Sequence, residues 1–120
     1  MAAKKIKTRF RAYQLGSEGS SFSYFYGEEF ILIEGRLNDT NRPRLIQELK
    51  ICGKEKIDTL HITSWDFDHC APRELKEILL TYEPSKLQIP GYNPHTNSGV
   101  ESLKMIELYK EGKLVEEDDG

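Results

Sequence analysis

Residues 57–69 read Ile-Asp-Thr-Leu-His-Ile-Thr-Ser-Trp-Asp-Phe-Asp-His, a short run rich in β-branched residues followed directly by an acidic and aromatic loop. The first seven residues predict a core strand, because β-branched side chains favour extended structure. The loop then places Asp66, Asp68 and His69 within four positions, and divalent metals are bound by these residue types. Open α/β sheets carry their functional groups where strands end. The stretch therefore predicts an α/β fold with a candidate metal-binding loop.

Upstream of this stretch, the sequence predicts three strands joined by short turns and then a helix. Residues 8–15 alternate polar and apolar, residues 22–26 are aromatic, and residues 30–33 form a continuous apolar run. Helical spacing of apolar residues predicts a helix over residues 42–52, between a proline and a glycine. The first part of the chain is thus an antiparallel meander followed by a helix.

Downstream, two further helices alternate with one short strand. The second helix is predicted from Pro72 to just before Pro84, a strand at residues 87–89, and a third helix around residues 100–109. The acidic tail, 116–120, is expected to be disordered. The order βββ-α-β-α-β-α predicts one sheet with helices on one face, so the other face needs a second layer.

The composition indicates one globular domain of 120 residues with a small net charge of -3. This charge does not favour binding to nucleic acid or an anionic membrane. Basic residues cluster near the start of the chain, at Lys4, Lys5, Lys7, Arg9 and Arg11. This cluster is interpreted either as a solvated terminus with one strand face or as a contact for nucleic acid. Neither a secretory run nor an apolar membrane stretch is present, so the chain is predicted to be cytoplasmic with Cys52 and Cys70 reduced.

Residues 66–69, Asp-Phe-Asp-His, resemble the metallo-β-lactamase signature His-x-His-x-Asp-His, and most of all its variant His-x-Asp-x-Asp-His. That variant is found in the hydrolase domains of ComEC-type DNA-uptake proteins. Residues 14–21 are similar to the family's glycine-containing first turn, and residues 31–35 to its strand ending in Asp-Gly. The resemblance covers about residues 8–108. It implies that residues 1–115 form the N-terminal half of a metallo-β-lactamase αββα sandwich.

The resemblance also implies roles for individual residues. Asp68 and His69 would bind a metal, Asp68 would in addition orient a catalytic water or hydroxide, and Asp66 would take the place of the second histidine ligand. The resemblance implies zinc as the metal. The first-histidine position is Ser64, which is a poor zinc ligand, so either the first-metal site is damaged or the protein uses manganese or magnesium instead. Glu34 stands where the family has Asp and is expected to support the site rather than bind the metal.

Three hypotheses about function remain open at this point. The first is a metal-dependent hydrolase acting on phosphodiesters, completed by the second half of the fold or by a homodimer partner, with nucleic acid as a candidate substrate. The second is an inactive half-fold acting as a binding or regulatory module, because Ser64 removes one ligand and the family's further histidines and aspartates are not in this chain. The third is a small α/β domain in which Asp66 or Asp68 only caps the following helix.

The two other histidines are not predicted to bind metal. His95 lies in a proline-containing loop before the third helix and is expected to belong to the loop and helix cap. His61 is expected to pack against a helix, because strand alternation directs it away from Ser64.

Overall fold

A computed structural model describes residues 7–116 of the chain. It contains five strands and three helices. The strands are β1 (Thr8–Ala12), β2 (Phe22–Tyr26), β3 (Glu29–Ile33), β4 (Thr59–His61) and β5 (Lys86–Gln88), and the helices are α1 (Arg42–Cys52), α2 (Pro72–Tyr82) and α3 (Asn97–Lys110). The predicted α/β class and the predicted order of elements are confirmed. The predicted tail lies outside the described residues from 117 onward.

The strands form one mixed sheet in the order β1-β2-β3-β4-β5. The first three strands pair antiparallel, whereas β3, β4 and β5 pair parallel to one another. Strands β1, β3, β4 and β5 consequently end at the same edge of the sheet, here called the carboxyl edge. The starts of all three helices lie at this edge, because each helix follows one of these parallel strands.

The hydrophobic core lies on one face of the sheet, between the strands and the helices. The inward side chains of the strands include Phe25, Phe30, Leu32 and Leu60, all nearly inaccessible to solvent. They form one cluster with buried residues of the helices, which include Leu45, Leu49, Leu75, Ile78, Leu79 and Ile106. Since one cluster contains the buried residues of the sheet and of all three helices, we call this the covered face.

The opposite, open face carries aromatic and aliphatic side chains without a covering layer among the described residues. The residues on it alternate with those of the core and are, by strand, Phe10, Phe22, Tyr24, Tyr26, Ile31 and Ile33. Phe10 is 64% exposed and Tyr26 is 52% exposed. His61 also lies on this face, where its Nδ1 is 2.7 Å from Oε1 of Gln88. The prediction that His61 packs against a helix is wrong, because Leu60 takes the helix-facing position of β4.

The helices begin and end where local signals predict. α1 has a proline in its first turn and ends at Gly53, whose left-handed backbone (φ +71°) lets its N–H donate to the carbonyls of Leu49 and Lys50. α2 begins at Pro72 and ends before Pro84. β1 and β4 are shorter than predicted by three and four residues, and α3 begins at Asn97, three residues earlier than its apolar pattern suggests. Among the described residues no helix is long and apolar enough to cross a membrane.

Candidate functional site

The predicted metal-binding loop connects β4 to α2 at the carboxyl edge. Residues 66–69 form a tight turn in which the N–H groups of His69 and Cys70 both donate to the carbonyl of Asp66, each at 2.9 Å. The two aromatic side chains that flank Asp66 are placed differently by this turn. Trp65 is buried, with its indole N–H donating to the Tyr92 carbonyl at 2.8 Å, whereas Phe67 is 58% exposed.

Glu34 and His69 form the best-defined contact of the site. Glu34 is 3% exposed, and its Oε2 lies 2.7 Å from Nδ1 of His69. The same carboxylate accepts hydrogen bonds from the main-chain N–H and the hydroxyl of Thr63. Glu34 thus joins the end of β3 to both ends of the segment that follows β4.

The backbone explains why these two side chains meet. After β3, the N–H of Gly35 donates to the His69 carbonyl at 2.8 Å, and Gly35 pairs with Cys70 in an isolated parallel bridge. Glu34 itself has φ +83°, a left-handed conformation that costs a residue other than glycine about 1–3 kcal/mol. This unusual backbone lies at the position where the carboxylate contacts His69.

The hydrogen bond assigns the tautomer of the His69 ring. An ionised carboxylate only accepts, so the proton of a neutral imidazole lies on Nδ1 and the lone pair lies on Nε2. This carboxylate–histidine pairing is the arrangement by which proteins orient a histidine that binds a metal. His69 is about one-third exposed, so its ring is open to solvent. The expected supporting role of Glu34 agrees with this geometry.

Asp66 and Asp68 are both exposed, and within residues 7–116 neither carboxylate forms a hydrogen bond or a salt bridge. The main chain of Asp68 is instead well held, because its carbonyl accepts from Ser20 N–H at 3.2 Å and from Arg36 Nη1 at 3.1 Å. In this part of the chain, no three His, Cys, Asp or Glu side chains are arranged to hold a metal ion. The described residues therefore fit an incomplete donor set, with His69 oriented and the two carboxylates not gathered around it.

The acidic residues do not cap α2. The N-cap of this helix is Ala71, without a side-chain cap hydrogen bond. Glu74 in the first turn accepts from Arg36 Nε at 2.7 Å and from the N–H of Leu37 at 2.8 Å. The hypothesis that Asp66 or Asp68 serves as a helix cap is wrong, because the turn at residues 66–69 ends before the helix begins.

Ser64, at the first-histidine position, is occupied by contacts with its neighbours. Its hydroxyl accepts from the N–H of Asp66 at 3.1 Å and lies 3.2 Å from the hydroxyl of Tyr92. The Tyr92 hydroxyl also accepts from the N–H of Trp65 at 3.0 Å. His95 stacks on the ring of Tyr92, with centroids 6.3 Å apart, and the cap of α3 is Thr96, whose hydroxyl accepts from Gly99 N–H.

Tyr92 and Arg36 are residues of the site that sequence reasoning missed. Tyr92 follows β5, and the parallel pairing of β4 with β5 brings the two following loops together, so topology contained a signal for it. Arg36 is buried and holds the carbonyls of Glu18 and Asp68. A Cβ at Gly19 (φ +135°) would lie 2.6 Å from the main-chain carbonyl oxygen of Asp68, so this position requires glycine.

The two cysteines are free and buried, as predicted for a reduced chain. Burial raises the pKa of the Cys70 thiol to about 11. Since the thiolate is the form that binds metals and attacks electrophiles, Cys70 serves as a core residue beside the site.

No protein-family model matches the chain, and comparisons with curated proteins and with solved structures also give no match. The family resemblance thus stays a prediction that rests on the motif residues.

Proposed function

We propose that this chain is the N-terminal half of a metallo-β-lactamase-like hydrolase domain that acts on phosphodiesters. In this proposal His69, Asp68 and Asp66 bind one divalent metal, zinc or else manganese or magnesium. The remaining ligands come from a second half of the fold or from a partner chain. The site works in the cytoplasm, where both thiols stay reduced.

The observation that supports this proposal most is the buried Glu34 carboxylate bonded to Nδ1 of His69. The carboxylate is fixed by the left-handed backbone of Glu34 and by two hydrogen bonds from Thr63, so it is already in place to orient the His69 ring. The pairing leaves Nε2 as the free lone pair, which is the nitrogen that a metal would use.

The two carboxylates are compatible with this role because they are free to turn. Within the described residues, metal binding by Asp66 and Asp68 would break no salt bridge and no side-chain hydrogen bond. Both side chains would have to move to form the site, and the free energy of metal binding must offset this rearrangement. The open face supports the second part of the proposal, because an apolar sheet face of this kind is normally covered by another layer.

A second candidate function is an inactive half-fold that binds a partner protein through the open face. Two observations favour it. The described residues contain no group of three metal donors. The hydroxyl of Ser64 is already bonded to the N–H of Asp66 and lies beside the Tyr92 hydroxyl, so it does not replace the missing histidine.

Metal analysis of the full chain separates the two functions. We expect the purified protein, dialysed against each metal in turn, to retain close to one equivalent of zinc, manganese or magnesium. The double variant Asp68→Ala/His69→Ala should lose this metal while its circular dichroism spectrum stays unchanged. Because the proposal places the remaining ligands on a second half of the fold or on a partner chain, metal content rather than cleavage activity is the readout for this chain alone.

The matched control is Asp39→Ala/His61→Ala, which removes the same two residue types outside the site. Its metal content should equal that of wild type. A correctly folded wild-type protein that retains no metal would overturn the hydrolase proposal for this chain and leave the binding module. Equal metal loss in both double variants would likewise exclude a specific site at Asp68 and His69.

A further inference from the structure

A second concave site lies at the carboxyl edge, between the end of β1 and the start of α1. It is a cavity of about 280 Å³. Its lining residues are Arg11, Ala12, Tyr13, Gln14, Thr40 and Arg44. None of these residues belongs to the candidate metal site, and none of them is acidic.

Arg11 is held in a fixed orientation on one side of this cavity. Its guanidinium donates to Glu48 Oε1 at 3.0 Å and to Gln47 Oε1 at 3.2 Å. It also stacks on the ring of Tyr13, with its Cζ 5.4 Å from the ring centroid. These two hydrogen bonds use only part of the five N–H donors of an arginine, so donors remain for a ligand.

The charges around the cavity do not balance. Glu48 is 1% exposed and is the acceptor for both Arg9 and Arg11, so one carboxylate faces two guanidinium groups. Arg44 is exposed and forms no salt bridge with any residue between 7 and 116. The cavity thus has a local positive charge in a chain whose overall charge is negative.

We propose that this cavity binds a phosphate group, either as free phosphate or as part of a phosphodiester. Two arginines supply planar forks of donors that match the oxygens of a tetrahedral anion, and Thr40 and Gln14 add neutral polar groups. Because Arg11 is already oriented by its neighbours, little side-chain entropy is lost on binding. The cavity requires no metal and holds its ligand whether or not the hydrolase proposal is correct.

The cavity and the candidate metal site are connected by the loop at residues 16–21. At one end of the loop, a Cβ on Gly16 would lie 3.0 Å from Thr40 Oγ1, a residue of the cavity wall. At the other end, Ser20 donates to the carbonyl of Asp68. The loop thus joins the cavity to the metal-binding loop at the carboxyl edge of the sheet.

Binding of inorganic phosphate, measured by isothermal titration calorimetry at low ionic strength with EDTA present, tests the site. We expect wild type to bind phosphate with a dissociation constant in the millimolar range or below. Arg44→Ala should raise this constant at least about tenfold, since a charge-assisted hydrogen bond is lost. Arg44→Lys should recover part of the affinity, because it keeps the charge but not the planar fork. Acetate, a planar anion with fewer acceptors, should bind more weakly than phosphate.

The matched control is Lys50→Ala, which removes one positive charge from the same helix at the end away from the cavity. Its phosphate affinity should stay within about twofold of wild type, because Lys50 lies almost two helical turns from Arg44 and would act on the anion only through water, without a direct hydrogen bond. Equal losses in Arg44→Ala and Lys50→Ala, or no heat of binding for wild type at millimolar phosphate, would overturn the proposal.

A short single-stranded DNA oligonucleotide, titrated under the same conditions, distinguishes the two sources of phosphate. Binding of the oligonucleotide that is tighter than that of phosphate, and weakened in Arg44→Ala, assigns the cavity to a phosphodiester. Phosphate binding alone assigns it to the free anion. EDTA is present throughout, so phosphate binding is measured without metal. A failure to find metal at Asp68 and His69 would therefore not change the outcome of this titration.

Discussion

The two faces of the sheet are built from similar apolar side chains but have different surroundings. On the covered face, Phe30 and Leu32 of β3 are fully buried under the helices. On the open face, Ile31 and Ile33 of the same strand lie beside exposed aromatics of β1 and β2. Strand alternation thus places equal hydrophobicity on both sides, while helices cover only one. The difference is that the apolar side chains of the open face have no covering layer within residues 7–116.

The covered face also ends differently at its outer strand. There β1 directs Arg9 and Arg11 toward α1, where both bind the buried Glu48, whereas Phe10 between them points to the open face at 64% exposure. Inward-pointing charges of this kind are one of the ways in which natural proteins protect an edge strand from pairing with another strand. The arginines of β1 thus have an internal partner in Glu48, whereas Phe10 stacks on Phe22 and stays largely exposed. Arg9 and Arg11 are therefore already paired with α1 in the absence of any ligand.

The largest expected effect comes from truncating neighbouring residues of β3 on opposite faces. Leu32→Ala should lower the free energy of unfolding by about 2–5 kcal/mol, because it opens a cavity in the core. Ile31→Ala should lower it by about 1 kcal/mol or less, because its side chain is only partly buried. Urea denaturation of both variants measures the two values. A loss for Ile31→Ala as large as that for Leu32→Ala would mean that the open face is covered in solution.

A smaller effect is expected from Glu48→Gln at the edge of the covered face. The variant keeps the shape of the side chain but removes the charge that both arginines contact, so we expect a loss of about 1–2 kcal/mol at neutral pH. Arg9 and Arg11 remain partly exposed and can be hydrated, which limits the loss. Urea denaturation at neutral pH checks this value.

The stability difference between wild type and Glu48→Gln should depend on pH, and the arginine contacts determine the sign of this dependence. The hydrogen bond from Arg9 lowers the pKa of Glu48 in the folded protein, with Arg11 acting in the same direction. The stabilisation from Glu48 is thus present above the unfolded pKa of about 4.3 and is lost as the pH falls through the lower folded pKa. Wild type should approach Glu48→Gln in stability on acidification. A difference that is unchanged at low pH would show that the charge of Glu48 contributes nothing.

The helices and strands were predictable because their signals are local. Pro43 and Gly53 bracket α1, and Pro72 and Pro84 bracket α2, so each end is determined by the backbone of one residue. The uncovered sheet face was likewise predictable, because residues 30–33 form a continuous apolar run that exceeds what one helical layer covers.

The loop geometry was not predictable, because distant residues determine it. The turn at residues 66–69 is held by Arg36 and Ser20, which bind the carbonyl of Asp68 and come from other parts of the chain. The same holds for Glu48, which periodicity alone leaves as a charged helical residue and which is buried only because β1 supplies two arginines. The contact between Glu34 and His69 was suggested by family resemblance, but its distance required the structure.

The smallest effect on stability is expected from substitutions on the open face. These substitutions also test most directly whether the two faces of the sheet differ in solution. Phe10 and Tyr24 lie opposite each other in the register of β1 and β2, and both are exposed. Phe10→Ser/Tyr24→Ser should change the free energy of unfolding by about 1 kcal/mol or less, because little buried area is lost. Wild type should associate with rising concentration in multi-angle light scattering, and the variant should stay monomeric, because the variant breaks the apolar patch.

The control for this experiment is Ile51→Ser/Val100→Ser, which removes two exposed apolar side chains from α1 and α3. It should associate like wild type, because neither residue belongs to the open face. If wild type is itself monomeric at high concentration, the open face is stable in water, and this outcome contradicts the proposal that a second layer covers it. If the control also becomes monomeric, association depends on total exposed apolar area and the sheet face is not the surface that a second layer covers.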